Sequence, residues 1–186
     1  MPETIPLAIV GCGGMGHRHM YGLAELTRAG LSPFTLVGAC DPDEGNANTL
    51  ADEAADLLGQ RPVVAGSLEA LAAATDVAAI DLTTTPRYHH TVAVEAFERG
   101  WHVMSEKPLG LTARACALMV QSAAQHGKVL STAENYRRDP INRPVRHQVH
   151  RQRAAVAQRA RHGINTAAFK PARRHHAFAA RHNMRA

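Results

Sequence analysis

Aromatic residues are scarce in this chain: one Trp, three Tyr and four Phe among 186 residues, or 4%. That excludes a core built on large rings, so the 45% apolar content points to packing by Ala, Val, Leu and Ile. Cysteine is equally thin. Cys12, Cys40 and Cys116 are odd in number, widely spaced and form no Cys-x-x-Cys pair. This pattern favours reduced thiols in the cytoplasm over a disulfide framework or a zinc site. Long apolar runs are missing too, none approaching the roughly 20 residues that span a bilayer. The start, Met-Pro-Glu-Thr, lacks the basic residues of a secretory leader, and Ile5–Val10 is too short for its apolar core. Neither a membrane span nor a leader is expected.

Acid is absent from the last forty residues. Residues 1–146 hold 12 Lys and Arg against 16 Asp and Glu, whereas residues 147–186 hold nine basic residues and no acidic one. The net charge of +5 therefore joins two segments of opposite sign. Six of the 12 histidines also fall in the basic segment, and the composition breaks near Arg146.

The acidic segment alternates strand and helix patterns. Ile5–Val10 is a short continuous apolar run, as in a strand covered on both faces. A helical stretch runs from about Met15 to Ala29 and ends at Gly30. Phe34–Cys40 predicts a second strand and Glu44–Leu58 a second helix. Pro62–Ala65 is a weak strand, and Ser67 can cap a short helix over Leu68–Ala73. Val77–Leu82, Trp101–Ser105 and Val129–Ala133 predict three more strands, separated by helices over Tyr88–Glu98 and Thr112–Gln125. Such alternation predicts an α/β, doubly wound parallel sheet with right-handed crossovers, and six strands is the Rossmann count. The predicted division is a dinucleotide-binding domain over 1–146 and a tail over 147–186 that is irregular and not a folded domain, with no apolar stripe wide enough to dock a helix.

Four sets of residues carry chemistry. Gly11-Cys-Gly13-Gly14-Met15-Gly16 has the G-x-G-x-x-G spacing, after a buried strand and at the opening of a helix. Gly11 permits the tight turn, Gly13 close approach of backbone to a pyrophosphate, and Gly16 close packing of helix on sheet. The pyrophosphate would lie on the helix N-terminus, where free N–H groups and the dipole favour negative charge. An ordinary glycine-rich turn is the plain alternative, and the strand–turn–helix context argues against it. Asp41 ends the second strand, where a carboxylate can bind both adenosine ribose hydroxyls and would repel a 2′-phosphate. NAD is favoured over NADP, although a turn aspartate before Pro42 is the alternative. The run from Thr83 through Thr84, Thr85 and Pro86 to His90 lies at the carboxyl end of strand four, where ligands of open α/β sheets sit. It also suits a capped helix start, and both roles can hold. Glu106-Lys107-Pro108 ends strand five; Lys107 there can orient a substrate hydroxyl or move a proton, or is an exposed turn lysine.

Taken in order, Gly11–Gly16, Asp41, Thr85-Pro-x-x-x-His90, Gly100–Pro108 and Asn135–Pro140 resemble the Gfo/Idh/MocA oxidoreductase family. The resemblance covers about the first 145 residues. It implies that Gly11, Gly13, Gly14, Met15, Gly16 and Asp41 hold NAD, with Thr84, Thr85, Pro86 and His90 along it. Glu106 and Lys107 would approach the nicotinamide, Lys107 being the active-site lysine. The implied reaction is hydride transfer on a sugar, cyclitol or related polyol, by an enzyme that associates into homo-oligomers when full length. The family's second domain, with its substrate pocket, is not recognisable after Arg146. Ala, Arg, His and Pro have GC-rich codons, so residues 147–186 read as a frame-shifted or truncated product, and the chain as a cofactor domain that binds dinucleotide without complete catalytic walls. The alternative is a non-catalytic dinucleotide-binding protein whose basic tail binds nucleic acid; Phe169 and Phe178 are its only stacking aromatics. No metal is expected, because His147, His150, His175, His176 and His182 lack cysteine or carboxylate partners nearby.

Overall fold

The structure, a computed structural model, describes residues 4–137 and Pro140. The composition break near Arg146, the basic segment with its histidines, and Arg138 and Asp139 of the Asn135–Pro140 motif lie outside the described residues.

The apolar runs form six strands: β1 (Ile5–Val10), β2 (Phe34–Cys40), β3 (Val63–Ala65), β4 (Ala79–Leu82), β5 (His102–Ser105) and β6 (Leu130–Thr132). Between them lie α1 (Gly14–Arg28), α2 (Glu44–Leu58), α3 (Leu68–Ala74), α4 (His89–Glu98) and α5 (Ala113–Gln125). All strand pairs are parallel, in the order β3-β2-β1-β4-β5-β6. The chain winds outward from β1 in one direction and then returns to wind the other way. The reversal opens a crevice beyond the carboxyl ends of β1 and β4, the place where doubly wound sheets take ligands.

Strand alternation sorts the core into two layers. Leu7 and Ile9 of β1 face a layer with Met20 and Leu23 of α1 and with Ala47, Leu50, Ala51 and Ala54 of α2. Ala8 and Val10 face the opposite layer, which holds Leu68 and Leu71 of α3, Phe97 of α4 and Met119 of α5. The small alanines on α2 let its backbone approach the sheet closely, so few large rings are needed. Asp43, Ser67 and Thr112 each accept a first-turn amide at the head of α2, α3 and α5, contributing about 1 kcal/mol apiece.

Several element starts shift by one residue from the sequence pattern, and two differ by more. β4 begins at Ala79 rather than Val77, because pairing with β1 starts at Leu7↔Ala79. The fourth helix opens with a 3-10 turn over Pro86–Tyr88, and its α-helical part starts at His89. Proline suits such a first turn, having no N–H to leave unpaired. Among the described residues no helix is long and apolar enough to cross a membrane.

Candidate functional site

Register places the chemical residues at one end of the sheet. Val10 pairs with Leu82 and Leu82 with Ser105, so three turns leave neighbouring strands side by side. They are the glycine turn after β1, the threonine turn after β4 and the lysine turn after β5. A cavity of about 560 Å³ opens at the first two, lined among others by Gly11, Gly13, Asp41, Ser67, Thr84 and Thr85.

The glycine turn is locked against the threonine turn. Gly11 has φ +99, and a Cβ there would stand 2.5 Å from the backbone nitrogen of Thr84. Thr83 completes the contact: its N–H donates to the Val10 carbonyl at 2.8 Å and its hydroxyl to the Gly11 carbonyl at 2.7 Å. At Gly16 a Cβ would strike the Gly11 carbonyl oxygen, so α1 packs directly on the turn. Gly13 and Gly14 instead face open space, with nothing within 4 Å of a Cβ. Gly13 caps α1 without a side-chain hydrogen bond, and the first turn holds no acid. The first amides of this 15-residue helix are therefore available to an anion.

Asp41 lies beside the glycine turn and also lines the cavity. One carboxylate oxygen accepts the Cys12 N–H at 2.8 Å and the other the Asp43 N–H at 2.9 Å. These bonds fix the carboxylate while leaving each oxygen capacity for another donor, such as a ribose hydroxyl. Cys12 and Cys40 lie nearby, but burial first and Asp41 second push their thiols up to about 12 and about 11. Neither supplies a thiolate near neutral pH. The Thr84 hydroxyl oxygen is buried with no hydrogen-bond partner, and Thr84 is among the residues that line the cavity. Open glycines, free helix amides, a fixed carboxylate and an unpartnered hydroxyl fit a dinucleotide. Asp41 would hold its adenosine ribose, and the head of α1 its pyrophosphate.

His89 ties the threonine turn to the lysine turn. The ring is fully buried; Nδ1 lies 3.0 Å from the Pro108 carbonyl oxygen and Nε2 3.0 Å from that of Thr84. His89→Leu should cost roughly 1–3 kcal/mol, because it removes the ring's N–H donor and the link between the two carbonyls. Urea denaturation of the variant checks this, and a midpoint equal to that of the parent contradicts the tie.

Beyond β5, Glu106 is buried and Lys107 exposed. Glu106 accepts the Lys107 N–H at 2.6 Å and faces His19 Nε2 at 3.3 Å, while His19 Nδ1 lies 2.7 Å from Asp81. Hydrogen bonding to Asp81, then its charge and Glu106, raise the His19 titration above its ordinary 6.5, although burial opposes them.

The structure thus brings Gly11, Gly13, Asp41, Thr84 and Thr85 to the cavity, with Gly14, Met15 and Gly16 in the first turn of α1. Pro86 opens the 3-10 turn. His90 is half-buried on α4 and does not line the cavity; its neighbour His89 makes the buried contacts. Glu106 and Lys107 lie outside that cavity, on the adjoining turn. Sequence reasoning overlooked His19, Asp81 and His89. The signal for His19 was available: Gly16, His19, Met20 and Leu23 fall at helical spacing on one face.

Comparison with known proteins agrees with this geometry. Residues 5–134 match the GFO_IDH_MocA model, described as oxidoreductase family, NAD-binding Rossmann fold. The inositol 2-dehydrogenase of Burkholderia cenocepacia is 32% identical over 127 residues, covering 68% of this chain and 35% of that protein. The crystal structure of the WlbA dehydrogenase from Chromobacterium violaceum, in complex with NADH and UDP-GlcNAcA, is 30% identical with a TM-score of 0.60. That match covers 74% of this chain and 37% of the other. A crystal structure from gentamicin A biosynthesis, in complex with NAD, is 28% identical with a TM-score of 0.64, over 75% of this chain and 37% of that one. The chain spans about a third of the length of the curated relatives it matches. None of these comparisons supports the nucleic-acid-binding alternative.

Proposed function

The chain belongs to the Gfo/Idh/MocA oxidoreductase family, and on that premise we propose that it holds NAD for a dehydrogenase acting on a CH–OH group of a sugar, cyclitol or related polyol. The observation that carries the reading is the cavity itself, lined by Asp41 and by the open Gly13 at the head of α1. The substrate class is supported by the names of the relatives, inositol 2-dehydrogenase among them.

Asp41 accepts the ribose hydroxyls, the head of α1 receives the pyrophosphate, and Thr84 offers its unpartnered hydroxyl to the ligand. Bound NAD supplies a hydride acceptor. Lys107, on the neighbouring turn, orients the substrate hydroxyl through Nζ and takes or returns its proton. Glu106 holds the backbone of that turn by accepting the Lys107 N–H. Cys12, Cys40 and Cys116 carry free thiols, which supports a reducing compartment such as the cytoplasm.

Lys107→Ala separates binding from chemistry. In the whole protein, turnover should fall by roughly 10²–10⁴-fold, the range expected for a positioned acid–base group. NAD affinity should change by less than about threefold, since Lys107 lies outside the cavity. Steady-state kinetics with calorimetric NAD binding checks both values, and retained turnover contradicts the role.

A further inference from the structure

Three side chains outside the cavity meet in the interior: His19 from α1, Asp81 from β4 and Glu106 from the turn after β5. Asp81 is 4% and Glu106 8% exposed, so two carboxylates are held nearly out of water on either side of one ring. Both ring nitrogens face carboxylate oxygens, at 2.7 and 3.3 Å. A neutral imidazole has a single N–H and would turn its lone pair toward one of those oxygens, whereas an imidazolium donates to both. The second oxygen of Asp81 is buried without a partner, so the ring is the group that compensates this carboxylate. Breaking such a pair from one side leaves an uncompensated buried charge.

The cluster does not end at Glu106. Its other oxygen accepts the Lys107 N–H at 2.6 Å, so the path runs from Asp81 through His19 and Glu106 to the Lys107 backbone. His19 also sits three residues beyond Gly16, on the helix whose N-cap, Gly13, lines the cavity. One helix thereby bears on both the anion site and the lysine turn.

We propose that His19 is a positioning residue: as an imidazolium bridging Asp81 and Glu106, it fixes the Glu106 carboxylate and, through it, the turn that carries Lys107. The consequence for hydride transfer rests on the role given to Lys107 above; the tie itself does not. Among the described residues, Asp81 from β4 and Glu106 from the turn after β5 are the charged groups acting on the ring. Both raise its titration. The ring is more basic in the folded chain than at its ordinary 6.5, so the bridge is fully formed below that value. Its contribution disappears as pH rises through the folded titration, and the lysine turn is released there.

The test is a pH titration of the ¹⁵N-labelled full chain followed by NMR, with His19→Gln used to assign the ring. The His19 ring should carry protons on both nitrogens at pH 6.5 and should lose one only as pH rises above that value. The Lys107 amide proton should lie far downfield, as its short bond requires, and should move with the same midpoint as the ring. In His19→Gln that amide should shift upfield, lose the titration and exchange at least about tenfold faster. Where His19→Gln fails to fold, Asp81→Asn keeps the shape and removes one charge, and should lower both midpoints together. A ring that titrates at or below 6.5, a Lys107 amide indifferent to the ring, or midpoints that separate in Asp81→Asn would each overturn the proposal. The experiment uses no nucleotide, so failure of NAD to bind would count against the proposed function and leave this tie standing.

Discussion

Gly11→Ala is expected to abolish NAD binding and to destabilise the domain by roughly 3–5 kcal/mol, combining a left-handed backbone penalty with overpacking. The residue has φ +99, which an alanine side chain adopts only under strain. Its Cβ would meet Thr84 N at 2.5 Å, Thr83 C at 2.7 Å and Thr84 Cα at 2.8 Å. These are backbone atoms of the neighbouring strand end, so no side chain can rotate away. The turns after β1 and β4 must part, breaking the hydrogen bonds of Thr83 to Val10 and Gly11. Gly13→Ala provides the contrast. Its φ of −78 suits alanine and nothing lies within 4 Å of the new Cβ. Stability should stay within about 0.5 kcal/mol, the usual range for an unobstructed surface change. NAD affinity should nevertheless fall, because the methyl group takes space that the pyrophosphate needs. Denaturant melts and NAD titrations of the two variants check the pair. Equal stability losses in both would contradict the packing argument, and undiminished binding in both would contradict the site.

Asp41→Ser is expected to weaken NAD and to relax discrimination against NADP. Loss of hydrogen bonds to a charged acceptor is worth about 1.5–3 kcal/mol, or roughly 10- to 150-fold in affinity. Part of the loss arises within the protein, since the Cys12 N–H gives up its 2.8 Å carboxylate acceptor and the glycine turn loosens. NADP gains by comparison, because the carboxylate charge that repels a 2′-phosphate is gone. The ratio of the two dissociation constants should approach unity. Competition binding of NAD and NADP to parent and variant measures it, and an unchanged ratio removes Asp41 from cofactor choice.

Most of the fold was legible because its signals are local. Ile5–Val10 and Phe34–Cys40 are strands from end to end, as their continuous apolar runs predict. α2 covers the expected Glu44–Leu58, with Asp43 capping its start and Gly59 closing its end at φ 75. The glycine turn reads equally well, since three residues at fixed spacing do distinct jobs within one turn. The rest depended on contacts between distant segments. His89 and His90 are adjacent, and the 3-10 turn from Pro86 sets the helical phase that sends His89 inward. The sequence pattern carries no information on that phase. Asp81 reads as an ordinary break in an apolar strand, and its partner His19 is 62 residues away. Glu106 is 87 residues from the same ring. Only the parallel order β1-β4-β5, with α1 packed over it, brings the three together.

Calorimetric titration of the full chain with NAD and with NADP tests the central claim most directly. Saturable one-to-one binding of NAD is expected, with an affinity for NADP weaker by roughly tenfold or more, as a charge repulsion above about 1.4 kcal/mol requires. Absence of saturable NAD binding by a chain whose circular dichroism shows it folded, or equal affinity for NADP, would contradict it.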